Sequence, residues 1–316
     1  MAIIGKIFAN TLASYEEKDL IDADKLRRLT DATYPEALRL LADFGWSDEG
    51  GADDILAARI AHLLEFVREY APTDKVRDVL CAEFVFHNAK AAYKGKVSGA
   101  DVSRALYGGF GYVAQGIENG DYSELPASLA ECLETLDEKY LTEKPKAREI
   151  EAAITQARYD YLVARSKGER MLSKYVKSEL DLKNLMTLYR CRVLGMNRRD
   201  FGAMFIRGGS IKESDAARAL EGTDEAFYSF FADTEYGELF SSAGEGADAL
   251  TELETGADDY LYALTLVGRD NFLSDVPFIN YFMRALLEIK TVRTVLVCIK
   301  NGVTGEIKRR LRAIYD

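Results

Sequence analysis

Fourteen residues of this chain are written three times. Phe86–Gly99 aligns without gaps on Leu182–Gly195, and a fainter third copy runs from Ile289 to Gly302. In each copy a polar residue (Asn88, Asn184, Thr291) stands at the same distance before a glycine (Gly99, Gly195, Gly302). Apolar residues recur within the copies at spacings of three and four, the signature of a helix with one buried face. The fold must therefore build the same helix three times. The copies begin about a hundred residues apart, beyond the periods of about 34 to 47 residues of helical-hairpin solenoids. Duplicated helical bundles fit that spacing better than a ladder of hairpins.

The rest of the chain agrees with an all-α fold. Nearly half of its 316 residues are hydrophobic, enough for sizeable cores, and only five are proline. Three-four spacing dominates, and no convincing alternating strand appears. Thr294–Ile299 is rich in β-branched residues but lies inside the helical pattern of the third copy, which overrides propensity. Thr33, Pro35 and Glu36 predict a capped helix start, and Ser210 and Glu213 predict a second one behind Gly208-Gly209. Val276-Pro277 opens a last long helix running to about Lys300. The repeats divide the chain into helical units of 1–97, 98–205 and 206–316.

The net charge of −11 disfavours nonspecific binding to nucleic acid or to anionic lipid. From Lys290 to Asp316 the balance reverses to +5, read as cations at a helix end or as a contact for an acidic partner. No apolar run is long enough to span a membrane, and Met1–Ser14 reads as a first helix rather than a signal peptide. Cys81, Cys132, Cys191 and Cys298 are scattered without a CxxC pair, which suits a reduced cytoplasmic protein without a zinc knuckle.

No catalytic, cofactor or metal site is predicted. Asn88, Asn184 and Thr291 share a helix face with small and apolar residues, so each needs a buried hydrogen-bond partner, expected at a freed backbone group of a neighbouring helix end. Arg207-Gly208-Gly209-Ser210 resembles an anion cradle only weakly, because no GxxxxGK[ST] is present, and reads as a turn between helices. Asp53-Asp54 and Asp258-Asp259 lack the third carboxylate of a DDxxD magnesium helix. His62, mid-helix among apolar residues, and His87 have no nucleophile beside them in sequence.

Tyr175–Leu185, with Asp181 and Asn184 three apart, resembles the "iD..Nl" helix of the C subunits of A/V-type rotary ATPases, known as the d subunit in the eukaryotic vacuolar enzyme. Arg190 and Arg192 before Gly195, and Phe205–Ile211 around Gly208-Gly209, are similar to the segments that follow in that family. Asn119–Pro126, Pro277–Phe282, Glu288–Arg293 and Glu306–Leu311 extend the resemblance over nearly the whole chain in the same order. The resemblance implies three related helical subdomains forming a funnel-like socket, peripheral on the cytoplasmic face of the membrane. It implies a non-catalytic component of the central stalk that couples the axle, made of the D and F subunits, to the proteolipid ring during ATP-linked proton or sodium transport. Membrane contact would be indirect, through the ring. A helical scaffold or adaptor of another complex is the alternative, and a magnesium enzyme is disfavoured by the incomplete carboxylate sets.

Overall fold

A computed structural model describes residues 2–242 and 247–315, and every regular element among them is helical. The α-helices are α1 (Ala2–Glu16), α2 (Ala23–Thr30), α3 (Tyr34–Asp43), α4 (Ala52–Tyr70), α5 (Asp74–Ser98), α6 (Gly111–Asn119), α7 (Ala127–Tyr140), α8 (Ala147–Ser166), α9 (Arg170–Val193), α10 (Arg198–Gly202), α11 (Glu213–Glu221), α12 (Asp224–Ala232), α13 (Gly237–Ser242), α14 (Ala247–Leu266), α15 (Val276–Lys300) and α16 (Ile307–Arg310). A common order recurs in them. Two short helices precede two long ones in α2 to α5, again in α6 to α9, and again, with the small α13 interposed, in α11 to α15. The three sequence repeats are the C-terminal halves of α5, α9 and α15.

The starts follow from local chemistry. Pro35 lies in the first turn of α3, where its missing N–H leaves no bond unmade, and Glu36 reaches back to the Thr33 N–H at 3.5 Å. Asp54 accepts the Gly51 N–H at 2.8 Å and so closes the first turn of α4, which accounts for one carboxylate of the Asp53-Asp54 pair. The expectation at Ser210 is corrected. The residues before α11 form an extended loop from Ala203, the N-cap is Lys212, and Ser210 turns its hydroxyl inward to Asp181 instead. Gly208 and Gly209 thus lie within that loop and do not terminate a helix.

The chain packs as two units, one formed by residues 1–77 with 242–316 and the other by 78–241. In the first, α15 is the axis. It is apolar almost all round, as a central buried helix must be, and it packs against α14, α4 and α1. Phe278 stacks on Phe66 at 5.5 Å, and Tyr281 meets the same ring edge-on at 5.3 Å. In the second unit α8 lies between α7 and α9, and an aromatic cluster of Tyr189, Phe227, Phe231 and Phe240 fills the far side of α9.

Candidate functional site

The site to be built is the set of buried polar positions on the repeated helices. Asn184 lies on α9 and is 1 % exposed. Its amide donates to the Ile206 carbonyl at 2.7 Å, and its Oδ1 accepts the Ile206 N–H at 2.9 Å. One side chain thus satisfies both backbone groups of one loop residue. Asn88 on α5 does the same with Tyr107, donating to its carbonyl at 2.9 Å and accepting its N–H at 2.8 Å. A loop without secondary structure has no ladder to satisfy its buried peptides, and an amide side chain has the matched donor and acceptor to replace one. Thr291, the third member, is fully buried in α15, and its hydroxyl has no hydrogen-bond partner among the described residues. Each position belongs to its own helix, Asn88 and Asn184 in one unit and Thr291 in the other.

The repeat glycines are brought to a common geometry. Gly99, Gly195 and Gly302 have φ of +75°, +63° and +70°, left-handed values that favour glycine. In the second and third copies the end is a Schellman turn. Met196 N–H bonds Cys191 O at 2.8 Å with Gly195 N–H on Arg192 O at 3.2 Å, and Val303 N–H bonds Cys298 O at 2.9 Å with Gly302 N–H on Ile299 O at 3.1 Å. In the first copy the simpler left-handed cap forms, from Gly99 N–H to Gly95 O at 2.7 Å. The accepting carbonyl always belongs to the same repeat position, which is Gly95, Cys191 or Cys298.

Gly208 and Gly209 lie in a joint held from three sides. Asn184 clamps Ile206. Gln156 on α8 accepts the Arg207 N–H at 2.9 Å and donates to its carbonyl at 3.2 Å. Asp181, 1 % exposed, accepts the Ser210 N–H at 2.8 Å, the Ile211 N–H at 3.2 Å and the Ser210 hydroxyl. Gly208 has φ of +112°, and a Cβ on Gly209 would overlap the Asp181 carboxylate. The N–H groups that a phosphate cradle requires are therefore spent on a carboxylate of the chain itself. Arg192 braces the next joint, donating to Leu220 O at 2.8 Å and Gly222 O at 3.0 Å while its guanidinium lies 5.2 Å over the Phe227 ring.

In the other unit Glu288 on α15 is 1 % exposed, accepts the Ile21 N–H, and pairs with Arg59 at 3.2 Å. Burial pushes its carboxyl above the ordinary range, only partly opposed by Arg59 and the Ile21 N–H. Asn10 on α1, fully buried, donates to Phe272 O and Ser274 O at 2.9 Å each and accepts the Phe278 N–H at 3.1 Å. Sequence reasoning did not single out Asn10, Gln156 or Glu288. Only Glu288 left a trace, because it stands three residues before Thr291 as Asp181 stands before Asn184.

The remaining candidates resolve into structure. Asp258 pairs with Lys290 at 2.9 Å and Arg312 at 3.1 Å, which places two cations of the basic tail on a carboxylate of the same unit. Asp316 lies outside the described residues, as do the side chains of Glu306, Lys308 and Arg309. His87 Nε2 contacts Ala105 O at 2.9 Å, and His62 is exposed on α4, not set into its apolar face. Among the described residues no group of His, Cys, Asp and Glu is placed to hold a metal, and no helix is long and apolar enough to cross a membrane.

A family model described as ATP synthase (C/AC39) subunit matches residues 9–310, and the chain belongs to that family. It is the family of the C subunits of V/A-type ATPases, a non-catalytic stalk component of the rotary complex. The chain is 23 % identical over 272 residues to the C subunit of the V-type sodium ATPase of Enterococcus hirae, covering 83 % of this chain and 82 % of that protein. It is 27 % identical over 149 residues to the C subunit of the A-type ATP synthase of Desulfurococcus sp., covering 46 % of this chain and 40 % of that protein. With the corresponding A-type ATP synthase protein of Thermococcus kodakarensis it shares 26 % identity over 152 residues, 47 % of this chain and 41 % of the relative.

Proposed function

We propose that this chain is the coupling piece of the central stalk, joining the axle of D and F subunits to the membrane proteolipid ring. It sits on the cytoplasmic face, touches the membrane only through the ring, and passes rotation between ATP turnover and proton or sodium movement. Its three sequence-related units, 1–97, 98–205 and 206–316, are the repeated parts of that spacer.

The observation that carries the reading, beyond family membership, is how the loops are fastened. Moving one elementary charge across 100 mV involves about 2.3 kcal/mol. A spacer whose joints open for about 1 kcal/mol would absorb that energy as its own deformation. A buried backbone group stripped of its partner costs about 1 to 3 kcal/mol. At the 206–211 joint, Asn184, Gln156 and Asp181 together hold the N–H groups of Ile206, Arg207, Ser210 and Ile211. One of these bonds is buried, two are part-buried and one is exposed, so opening the joint costs energy comparable to one ion step or more, which supports a stiff joint.

The test is assembly. Membranes from cells lacking this chain should retain the ring and lose the axle and the ATP-hydrolysing head, and adding the purified chain back should restore ion-coupled hydrolysis. Recovery of the complete, coupled complex without the chain, or pull-downs that return no ATPase component, would favour an adaptor of another system.

A further inference from the structure

We propose that the outward seam of α7 docks one basic helix of a partner protein. The seam consists of Ala127, Glu131, Glu134, Glu138 and Leu141, all exposed. Their spacing of four, three, four and three is that of a helix-packing stripe, the geometry by which a second helix lies along the first. The opposite stripe of the same helix, Leu129, Leu133 and Leu136, is buried and packs toward α8. The outer stripe is thus a second packing face on a helix that already has one.

Its charge specifies the occupant. Glu134 and Glu138 are like charges four apart and Glu131 and Glu134 three apart, an arrangement that destabilises a helix on its own. Among the described residues no hydrogen bond or ion pair engages these three carboxylates. The one basic residue of α7, Lys139, is engaged by Glu149 at 3.0 Å. The nearby Lys96 is engaged by Asp137 at 2.9 Å. Asp137 is also saturated, accepting from Tyr93 at 2.9 Å and from Tyr122, so it offers nothing further to the seam.

Shape and apolar content agree. A cleft of about 1010 Å³ runs beside the seam, walled by the Gly120–Leu125 turn and ending at Tyr140 and Leu141. Leu141 is 87 % exposed, an apolar stop at the end of an acidic track. Cations at three-four spacing followed by an apolar residue match this face, and a neutral or acidic helix does not. The inference uses only residues of the 78–241 unit and stands apart from the axle-and-ring reading.

The test uses the full chain and a fluorescent basic amphipathic peptide of about four turns, with Lys at three-four spacing and one terminal Leu. Its charge-reversed Glu version serves as the negative probe. We expect saturable binding of the Lys peptide, slowed amide exchange confined to residues 120–141, and weakening as salt rises. Glu134→Lys with Glu138→Lys should weaken binding about tenfold or more, and Leu141→Asp by a smaller factor. Glu65→Lys with Glu69→Lys, the same charge change four apart on exposed α4, should leave affinity unchanged. Equal losses in both double variants would mean that the peptide reads net charge alone and would overturn the proposal. So would exchange protection elsewhere, or no binding.

Discussion

Asp181 and Glu288 occupy the same place, one residue before the second and third copies of the repeat, and fasten equivalent points of the fold. Asp181 accepts the N–H of Ile211, the residue before the N-cap of α11, and Glu288 accepts the N–H of Ile21, the residue before the N-cap of α2. In the first case the fastened residue lies 30 positions downstream, and in the second 267 positions upstream. The third copy is thus fastened to the loop that leads into the short helices α2 and α3 of the N-terminal segment. Asn10 on Phe272, Ser274 and Phe278 and Lys6 on Asp275 at 3.0 Å tighten the same union of the two chain ends.

Glu288 is then worth more than a surface acid. Replacing it with Ala strands the Ile21 N–H and leaves Arg59 without its carboxylate in a nearly closed site. Breaking a buried pair from one side costs about 3 to 5 kcal/mol. Glu288→Gln keeps an acceptor for Ile21 and removes a buried charge, so its loss should be smaller, about 1 to 2 kcal/mol. Urea unfolding of the three proteins checks this order. Equal midpoints for Ala and wild type would show that the latch carries no energy.

Asn184 and Thr291 share a repeat position but differ in satisfaction, and the difference predicts opposite signs. Asn184→Ala abandons both backbone groups of Ile206 in a buried site and should cost about 2 to 4 kcal/mol. Thr291→Val swaps an unpartnered buried hydroxyl for a methyl of the same shape and should be neutral or stabilising by up to about 1 kcal/mol. Melting temperatures settle both, and a fall on Thr291→Val would reveal a partner for that hydroxyl.

Helix order was legible because the three-four spacing, Pro35, Pro277 and the repeat glycines each leave a local mark. The Glu36 cap and the α15 span are such cases. That Asn88 and Asn184 bond backbone groups was legible, but not that those groups belong to the loop residues Tyr107 and Ile206 in place of a helix end. Their partners sit 19 and 22 residues away in loops whose course depends on tertiary packing. Ser210 misled because Ser followed by Glu at the third place imitates a capping box, while Asp181, from a different helix, takes the same hydroxyl. Gln156 and Asn10 carried no signal, since a single buried amide on a helix looks like any polar residue until its backbone partner is known.

Gly209 and Gly208 separate two reasons for glycine in one loop. At Gly209 a methyl would enter the space of the Asp181 carboxylate, so Gly209→Ala should push that side chain off Ser210 and cost about 1 to 3 kcal/mol. At Gly208 the neighbours stand 3.6 Å from a methyl and the difficulty is the positive φ, so Gly208→Ala should cost about 1 kcal/mol. A double-mutant cycle distinguishes them. Gly209→Ala combined with Asp181→Ala should cost less than the sum of the two, whereas Gly208→Ala should add to Asp181→Ala.

Glu151 supplies a pH dependence whose sign is fixed by its partners. Burial would raise its carboxyl, but hydrogen bonds from Lys90 and Lys94 and their charges outweigh it and hold the group down to about 2. An unfolded Glu titrates near 4.3, approximately. Between these values the unfolded chain binds more protons than the folded one. The contribution is therefore fully present above the unfolded value and is lost as pH falls toward 2. The Glu151 side chain is 46 % exposed, so solvent screening keeps the effect below about 1 kcal/mol. Glu151→Gln should melt lower than wild type at pH 7, and the gap should narrow steadily as pH is taken from about 5 downward. Raising the salt should shrink the gap at neutral pH as well. A gap that stays constant with both pH and salt would assign the loss to packing and not to the ion pairs with Lys90 and Lys94.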